Sequence, residues 1–587
     1  MVFRLVACLP AHRRRQFYGL FGAMILAAFA EIISLGAVLP FVSAIFAPET
    51  VAAQPMLAPL IEWFGLQETS DFILAATVLF VGASISAASL RILFLRLSIR
   101  FAYLAGADLG HEIFVRTLYQ PYEVHGMRNS ADVISGITRK VDGVVTGVLL
   151  PVLNFCASTL VFCAILTGLI LVNWAVALGA ITFFGAAYIG ITLIVRRRVR
   201  IGADHISTEQ KGVFKSLNEG LAGIRDVLLA GTQSHFATSF RKSDVSLRLA
   251  QADIRYLSQF PRFVLEALAM GTLAIFAYLW VTTAEDPTGA LPLFAALAFA
   301  GQRMMPALQQ GYSAFISAMG SAVILCDVLD LVEQPLPAKF THVGAPQAPS
   351  LRFTQAVTLD GVNYTYPGGA HPVLSDVSLV IPKGTRVGII GETGSGKSTL
   401  VDILLGLLPP KSGHVSIDGT VLTADDLDGW RANISHVPQL VFLSDASFLE
   451  NIALGEKTED ISRERAYLAA RQANLEQAID RYPEKIDAFV GEAGVNLSGG
   501  QRQRLGIARA LYRQAQVLVL DEATSALDTA TERSVMEAIS SLRANLTIIM
   551  IAHRHSTLLG CDMILRVAEG KVTNLGTFDE ARAYLDV

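Results

Sequence analysis

From Val144 to Val195 the chain is apolar almost without interruption, and the break falls at Asn173-Trp174. A soluble core does not call for an apolar run of this length, whereas a bilayer needs about 20 residues to cross its hydrocarbon. In lipid every backbone N–H and C=O must be satisfied inside the segment, so both halves are expected to be helices. The stretch therefore reads as two spans in a tight hairpin, with Trp174 at the membrane interface.

Further apolar runs at Phe17 to Ile45, Phe72 to Leu95, Phe263 to Thr282 and part of Ala290 to Val332 raise the expected number of spans to about six. Composition agrees: 52% of residues are hydrophobic and 17% charged, with mean hydropathy +0.46. At 587 residues the chain exceeds one ordinary core. The expected division is a transmembrane domain over 1–332, a linker rich in Pro, Gly, Ala and Thr over 333–350, and a soluble domain over 351–587. A net charge of −4 gives no sign of a nucleic-acid partner. Cys8, Cys156, Cys163, Cys326 and Cys561 are scattered and read as reduced packing residues. The first apolar run is too long for a cleavable signal peptide and lacks a small-residue cleavage site.

Charge orients the spans. Arg4, Arg13, Arg14 and Arg15 precede the first, and Arg96 to Lys140 and Arg196 to Arg255 are rich in Lys and Arg. The loop from Pro48 to Asp71 has neither, and Thr283 to Gly289 carries only acids. The positive-inside rule then makes the amino terminus and both long loops cytoplasmic, in a multi-pass protein. The two loops have helical patterns and would project as arms, with Tyr119 to Asn129 and Gly220 to Gln233 as candidate short helices at their tips. Met56 to Leu66 is too short to span and reads either as an external surface helix anchored by Trp63 and Phe64 or as packing against neighbouring spans.

Charges inside the spans cost about 2.5–3.5 kcal/mol each at a helix centre, so each needs a partner. Glu31, Arg91, Arg262, Glu266 and Arg303 fall there. One reading pairs Arg262 with Glu266 one turn on and lets Arg91 snorkel. The other turns Arg91, Arg262 and Arg303 toward a wet cavity for an anionic substrate, since the planar guanidinium makes two hydrogen bonds to phosphate. Pro40 and Pro306 are expected to kink their helices.

In the carboxy-terminal part, strands alternate with helices as in an α/β domain. Gly391-Glu392-Thr393-Gly394-Ser395-Gly396-Lys397-Ser398-Thr399 follows a short apolar strand, Thr385 to Ile390, and opens a helix at Leu400 to Leu408. It fits the loop whose backbone N–H groups cradle nucleotide phosphates. Lys397 supplies charge for the outer phosphates and Ser398 a hydroxyl for Mg²⁺. The strand Gln516 to Glu522 ends in two acids: Asp521 suits Mg²⁺, and Glu522 suits a general base. Gln439 and His553 follow other strands, where an amide can reach Mg²⁺ or water and an imidazole the γ-phosphate. Ser498, Gly499, Gly500 and Gln501 open a helix and form a second phosphate cradle. Two cradles of different design suggest that they meet across a dimer.

The loop at Gly391, Leu497 to Gln501, Asp521-Glu522, Ser525-Ala526-Leu527-Asp528 and His553 together resemble the ATP-binding cassette (ABC) transporters. The resemblance covers the whole chain and implies a fold: an α-helical six-span exporter-type transmembrane domain, then an α/β P-loop nucleotide-binding domain. It implies a homodimer with two composite ATP sites, Mg²⁺ as cofactor, and ATP hydrolysis coupled to transport. It also implies that Tyr366 stacks on adenine, that Asp528 belongs to the ATP site, and that Val490-Gly491-Glu492 passes motion to the spans. His555 departs from the family's usual residue.

Within the family, Glu31-Ile32-Ile33-Ser34, Leu39-Pro40-Phe41, Pro261-Arg262 with Glu266, and Arg303-Met304-Met305-Pro306 are similar to the PglK-type flippases of lipid-linked oligosaccharides. That likeness implies a polyprenyl-pyrophosphate sugar as cargo in a bacterial inner membrane. The alternatives are an exporter of lipid A, drugs or peptides, and a non-transport ATPase of the family, which the spans argue against.

Overall fold

The computed structural model describes residues 1–37, 41, 45, 69–128, 130–172, 174–283, 291–336, 351–491, 494–523, 529–541, 546–552 and 558–585. Pro40 and the outer stretch Met56 to Leu66 lie outside them. Contacts divide the chain into two compact units, 1–120 with 128–336 and 121–127 with 337–587.

The first unit is helical, and the described residues of each segment read as a span fall on helices. In chain order these are α1 (Ala11–Gly36), α2 (Thr69–Leu118), then, past the six-residue α3 (Tyr122–Met127), α4 (Leu150–Val172), α5 (Trp174–Ala222), α6 (Gln233–Thr283), α7 (Leu291–Gly320) and α8 (Ala322–Val332). Among the described residues, Ala11–Ser34, Ile73–Leu118 and Val133–Ile170 are long and apolar enough to cross a membrane. Met304–Gly320 with Ala322–Val332, bent by 55°, makes a fourth if taken as one span. The bend falls at Ser321, past Pro306, which lies inside α7. On α2, Leu74, Val78, Leu79, Ile85 and Ile92 are exposed. Such an apolar exterior is ordinary against lipid tails and would be a liability in water.

Helices α2, α5 and α6 have 50, 49 and 51 residues. At 1.5 Å per residue each is about 75 Å long, far more than the hydrocarbon thickness. The excess is the pair of arms expected from the charged loops. Both segments expected at the tips hold a short helix, α3 and Ile224–Leu229.

Helix α1 packs on α2, α4 on α7, and α5 on α6. The stretch before α4 packs on α8, with Val141, Val144, Val148, Leu325, Val328 and Leu329 all buried. Two short segments here, Gly136–Lys140 and Val145–Leu149, are π-helical. Gly147 faces Ser321 so closely that a Cβ would overlap the Ser321 hydroxyl. Ion pairs clip the periphery: Arg13 to Asp108 and Lys140 to Asp327, both at 2.7 Å.

The second unit is α/β. An antiparallel sheet has the order β2-β1-β4-β5, from β1 (Ala356–Tyr364), β2 (Leu374–Pro382), β4 (Ser412–Ile417) and β5 (Thr420–Val421). A six-stranded sheet runs β10-β9-β3-β8-β7-β6, from β3 (Arg386–Ile390), β6 (Ile434–Val437), β7 (Val517–Asp521), β8 (Thr547–Ile551), β9 (Met563–Ala568) and β10 (Lys571–Asn574). All its pairs are parallel except β9 with β10. Val517 to Leu520 are buried throughout, as expected of a strand covered on both faces. In such sheets ligands bind beyond the carboxyl ends of the strands. Here β3 ends in the glycine loop and β7 in Asp521.

Candidate functional site

The loop after β3 leads into α9 (Lys397–Leu404). This helix starts three residues earlier than the sequence suggests and stops at Leu404. Gly406, with φ +68°, takes the left-handed stop, and Leu407 N–H bonds back to the Asp402 carbonyl at 2.8 Å. Gly391, Gly394 and Gly396 all have positive φ. At Gly391 a Cβ would overlap the Val567 carbonyl, so the loop's close approach to β9 requires glycine.

Lys397 is buried, and its Nζ donates to the Gly391 and Glu392 carbonyls at 2.8 Å each. Burial lowers its pKa, while Glu522 and Asp521 act in the opposite direction. Their charges thus reach the lysine although β8 separates β3 from β7. The Ser395 hydroxyl is buried with no hydrogen-bond partner. An orphaned buried hydroxyl in a glycine loop at a helix N-terminus is what an added phosphate oxygen would satisfy.

Glu522 stands just beyond β7 in a left-handed conformation, φ +47°. That is a costly place for a residue with a side chain, and such outliers cluster at functional sites. Gln439 Nε2 donates a 2.6 Å hydrogen bond to Glu522 Oε2. The two residues read from separate strand ends are therefore together. Tyr366 is 43% exposed, and its hydroxyl lies 3.1 Å from Thr399 Oγ1. An open aromatic face tied to the phosphate loop is a platform for a base.

The second cradle caps α10 (Gly499–Tyr512). Ser498 Oγ accepts from Gln501 N–H at 3.3 Å, and Gln501 Oε1 accepts from Ser498 N–H at 2.8 Å. This reciprocal capping box leaves the Gly499 and Gly500 N–H groups at a helix start. Among the described residues no group of three or more His, Cys, Asp or Glu side chains suits a metal. The oxygen donors of Ser398, Gln439 and Asp521 fit Mg²⁺, which takes one or two carboxylates and shares substrate phosphates. Asp528, His553, His555, Glu492 and Ser525 to Leu527 lie outside the described residues.

The membrane arginines divide. Arg91 is paired with Glu31, which is buried. Arg262 lies 3.8 Å from Glu266, with both exposed. The Arg303 side chain lies outside the description. Sequence reading missed Asp402, Tyr364 as a contact residue, and Glu123. Only Asp402 gave a signal, an acid inside the apolar run Leu400 to Leu408.

A glycine loop between strand and helix, with a carboxylate pair at the end of a second parallel strand one place removed, defines a P-loop nucleotide hydrolase. Residues 374–525 match the family described as ABC transporter. The chain is 31% identical over 477 residues to the ATP-dependent lipid A-core flippase of Vibrio cholerae serotype O1, covering 80% of this chain and 79% of that one. To the protein of the same name from Haemophilus ducreyi it is 30% identical, covering 81% of each. Its fold is similar to the solved structure of a bacterial Atm1-family ABC exporter with ATP bound, with TM-score 0.78 and 23% identity over 97% of this chain and 96% of that one. The chain belongs to the ABC transporter family, as a half-transporter carrying its membrane helices and its ATPase cassette on one polypeptide. It is an ATPase whose hydrolysis is coupled to transport.

Proposed function

We propose that the chain is one half of a homodimeric flippase that moves a phosphorylated glycolipid across a bacterial inner membrane. The observation that carries this reading is the length of the likeness to lipid A-core flippases. At 477 residues it is about twice the nucleotide-binding unit, so it extends well into the membrane helices. Lipid A is the leading cargo. A polyprenyl-pyrophosphate sugar is the second reading, supported by Pro261-Arg262 with Glu266 and by Arg303-Met304-Met305-Pro306. Both cargoes present phosphate, which the guanidinium groups of Arg91, Arg262 and Arg303 suit.

In the ATPase cycle, Gly391 to Thr399 hold the phosphates and Tyr366 the adenine. Ser398, Gln439 and Asp521 would hold Mg²⁺, which would supply positive charge beside the transferring phosphate. Glu522 takes the proton of the attacking water, with Gln439 orienting its carboxylate, and His553 contacts the γ-phosphate. Ser498 to Gln501 and Asp528 complete the site facing the second subunit. ATP closes the dimer because it binds the closed form better than the open one.

The test is ATPase stimulation and lipid flipping in reconstituted vesicles with lipid A, a polyprenyl-pyrophosphate oligosaccharide and a hydrophobic drug. Lipid A is expected to stimulate most, and Arg303→Ala to reduce that stimulation. Stimulation by the oligosaccharide lipid alone would select the second cargo. A response confined to the drug would overturn both.

A further inference from the structure

Helix α3 clusters with the nucleotide-binding unit. Its Glu123 Oε1 accepts a 2.7 Å hydrogen bond from the Tyr364 hydroxyl. Lys411 Nζ lies 3.5 Å from the same oxygen and 5.9 Å from the centre of the Tyr364 ring. Tyr364, fully buried at the end of β1, meets Tyr366 edge to face, with ring centres 5.1 Å apart and planes at 89°. Tyr366 in turn reaches Thr399. Glu123 is thus three contacts from the phosphate loop, although 241 residues separate it from Tyr364.

The physical role of each link differs. A buried phenol without an acceptor loses the desolvation cost of its hydroxyl, so Glu123 fixes where the Tyr364 ring can rest. The perpendicular contact with Tyr364 then sets the tilt of the Tyr366 ring, which is also constrained by the Thr399 contact. We propose that Glu123 is a positioning residue for nucleotide binding: through Tyr364 it holds Tyr366 at the tilt that a purine base needs. The inference rests on the base platform assigned to Tyr366, and its ligand is the base of ATP, not the phosphates.

The experiment uses the full chain in lipid nanodiscs. Glu123→Ala and Tyr364→Phe each are expected to weaken ATP roughly three- to tenfold, as loss of one hydrogen-bonded support predicts, and to raise KM more than they lower kcat. The double variant goes no further than either single one. Glu123→Gln, whose amide oxygen accepts the same bond, retains near-parent affinity. Inorganic triphosphate, which has no base, binds all four alike. Equal weakening of triphosphate would mean a collapsed loop and overturn the proposal, as would additive effects or unchanged ATP affinity in Glu123→Ala. Tyr366→Ala separates the two levels. If it leaves ATP affinity unchanged, the platform itself is wrong; if it weakens ATP while Glu123→Ala does not, only the positioning role falls.

Discussion

Glu522 shows how a single residue accepts backbone strain for chemistry. Its left-handed φ of +47° and its 2.6 Å bond from Gln439 fix a carboxylate at the strand end. A carboxylate can take a proton from water. Glu522→Gln keeps size and shape but removes that capacity. It is expected to cut kcat by about 10²–10⁴, the range for a lost general base, while ATP still binds. Steady-state ATPase assays beside nucleotide-binding measurements check this, and parent-rate hydrolysis would assign the proton to another group. Asp402 answers to pH. Burial first, and the charge of Asp521 second, raise its pKa from 3.8 to about 6. Between those values the folded chain holds a proton that the unfolded chain has lost, so stability falls as pH rises through that window and stays lower above it. Asp402→Asn is expected to flatten that slope and to stabilise the cassette at pH 7–8 by about 1 kcal/mol, water screening part of the cost of the charged carboxylate. Denaturation of both proteins at pH 4.5, 6 and 8 measures it; parallel curves would discount the buried carboxyl.

At the scale of elements, the site was legible where local chemistry dictates the backbone. The glycines of the phosphate loop and the Ser498-to-Gln501 box announce their turns in sequence. The start of α9 was misjudged because Lys397, Ser398 and Thr399 already belong to the helix while serving the loop. The π-helical segments left no signal in the sequence, whereas the break at Ser321 falls on the Gly320-Ser321 pair, a common kink site, where α8 packs on the stretch before α4. Gly147 marks that packing. Gly147→Val would force a methyl-bearing side chain into Ser321 and is expected to cost about 1–3 kcal/mol, the usual range for overpacking. Ser321→Gly in the same chain is expected to recover part of it. Thermal unfolding of the single and double variants reads the pair, and equal midpoints for the two would show that the contact is soft.

At the scale of the molecule, the apolar runs and the motif-bearing half were readable because bilayer thickness and phosphate chemistry each impose a length or a spacing. The placement of α3 with the nucleotide-binding unit was not, because nothing near Glu123 in sequence hints at Tyr364. The arginines were readable as anomalies but not as roles, since a pair such as Arg91 with Glu31 depends on which helices become neighbours. The unbroken length of α2, α5 and α6 has a mechanical consequence. A rod of about 75 Å that tilts by roughly 5° carries its far end through about 6–7 Å, more than one helical turn, while side chains near the pivot move by little more than thermal amplitude. Each arm is a gear with a high ratio: adjustments too small to break packing at one end become strokes at the other. An interior proline weakens a helix as a rod, and Pro261 sits near the middle of α6, so this helix transmits less of the stroke than its length alone gives.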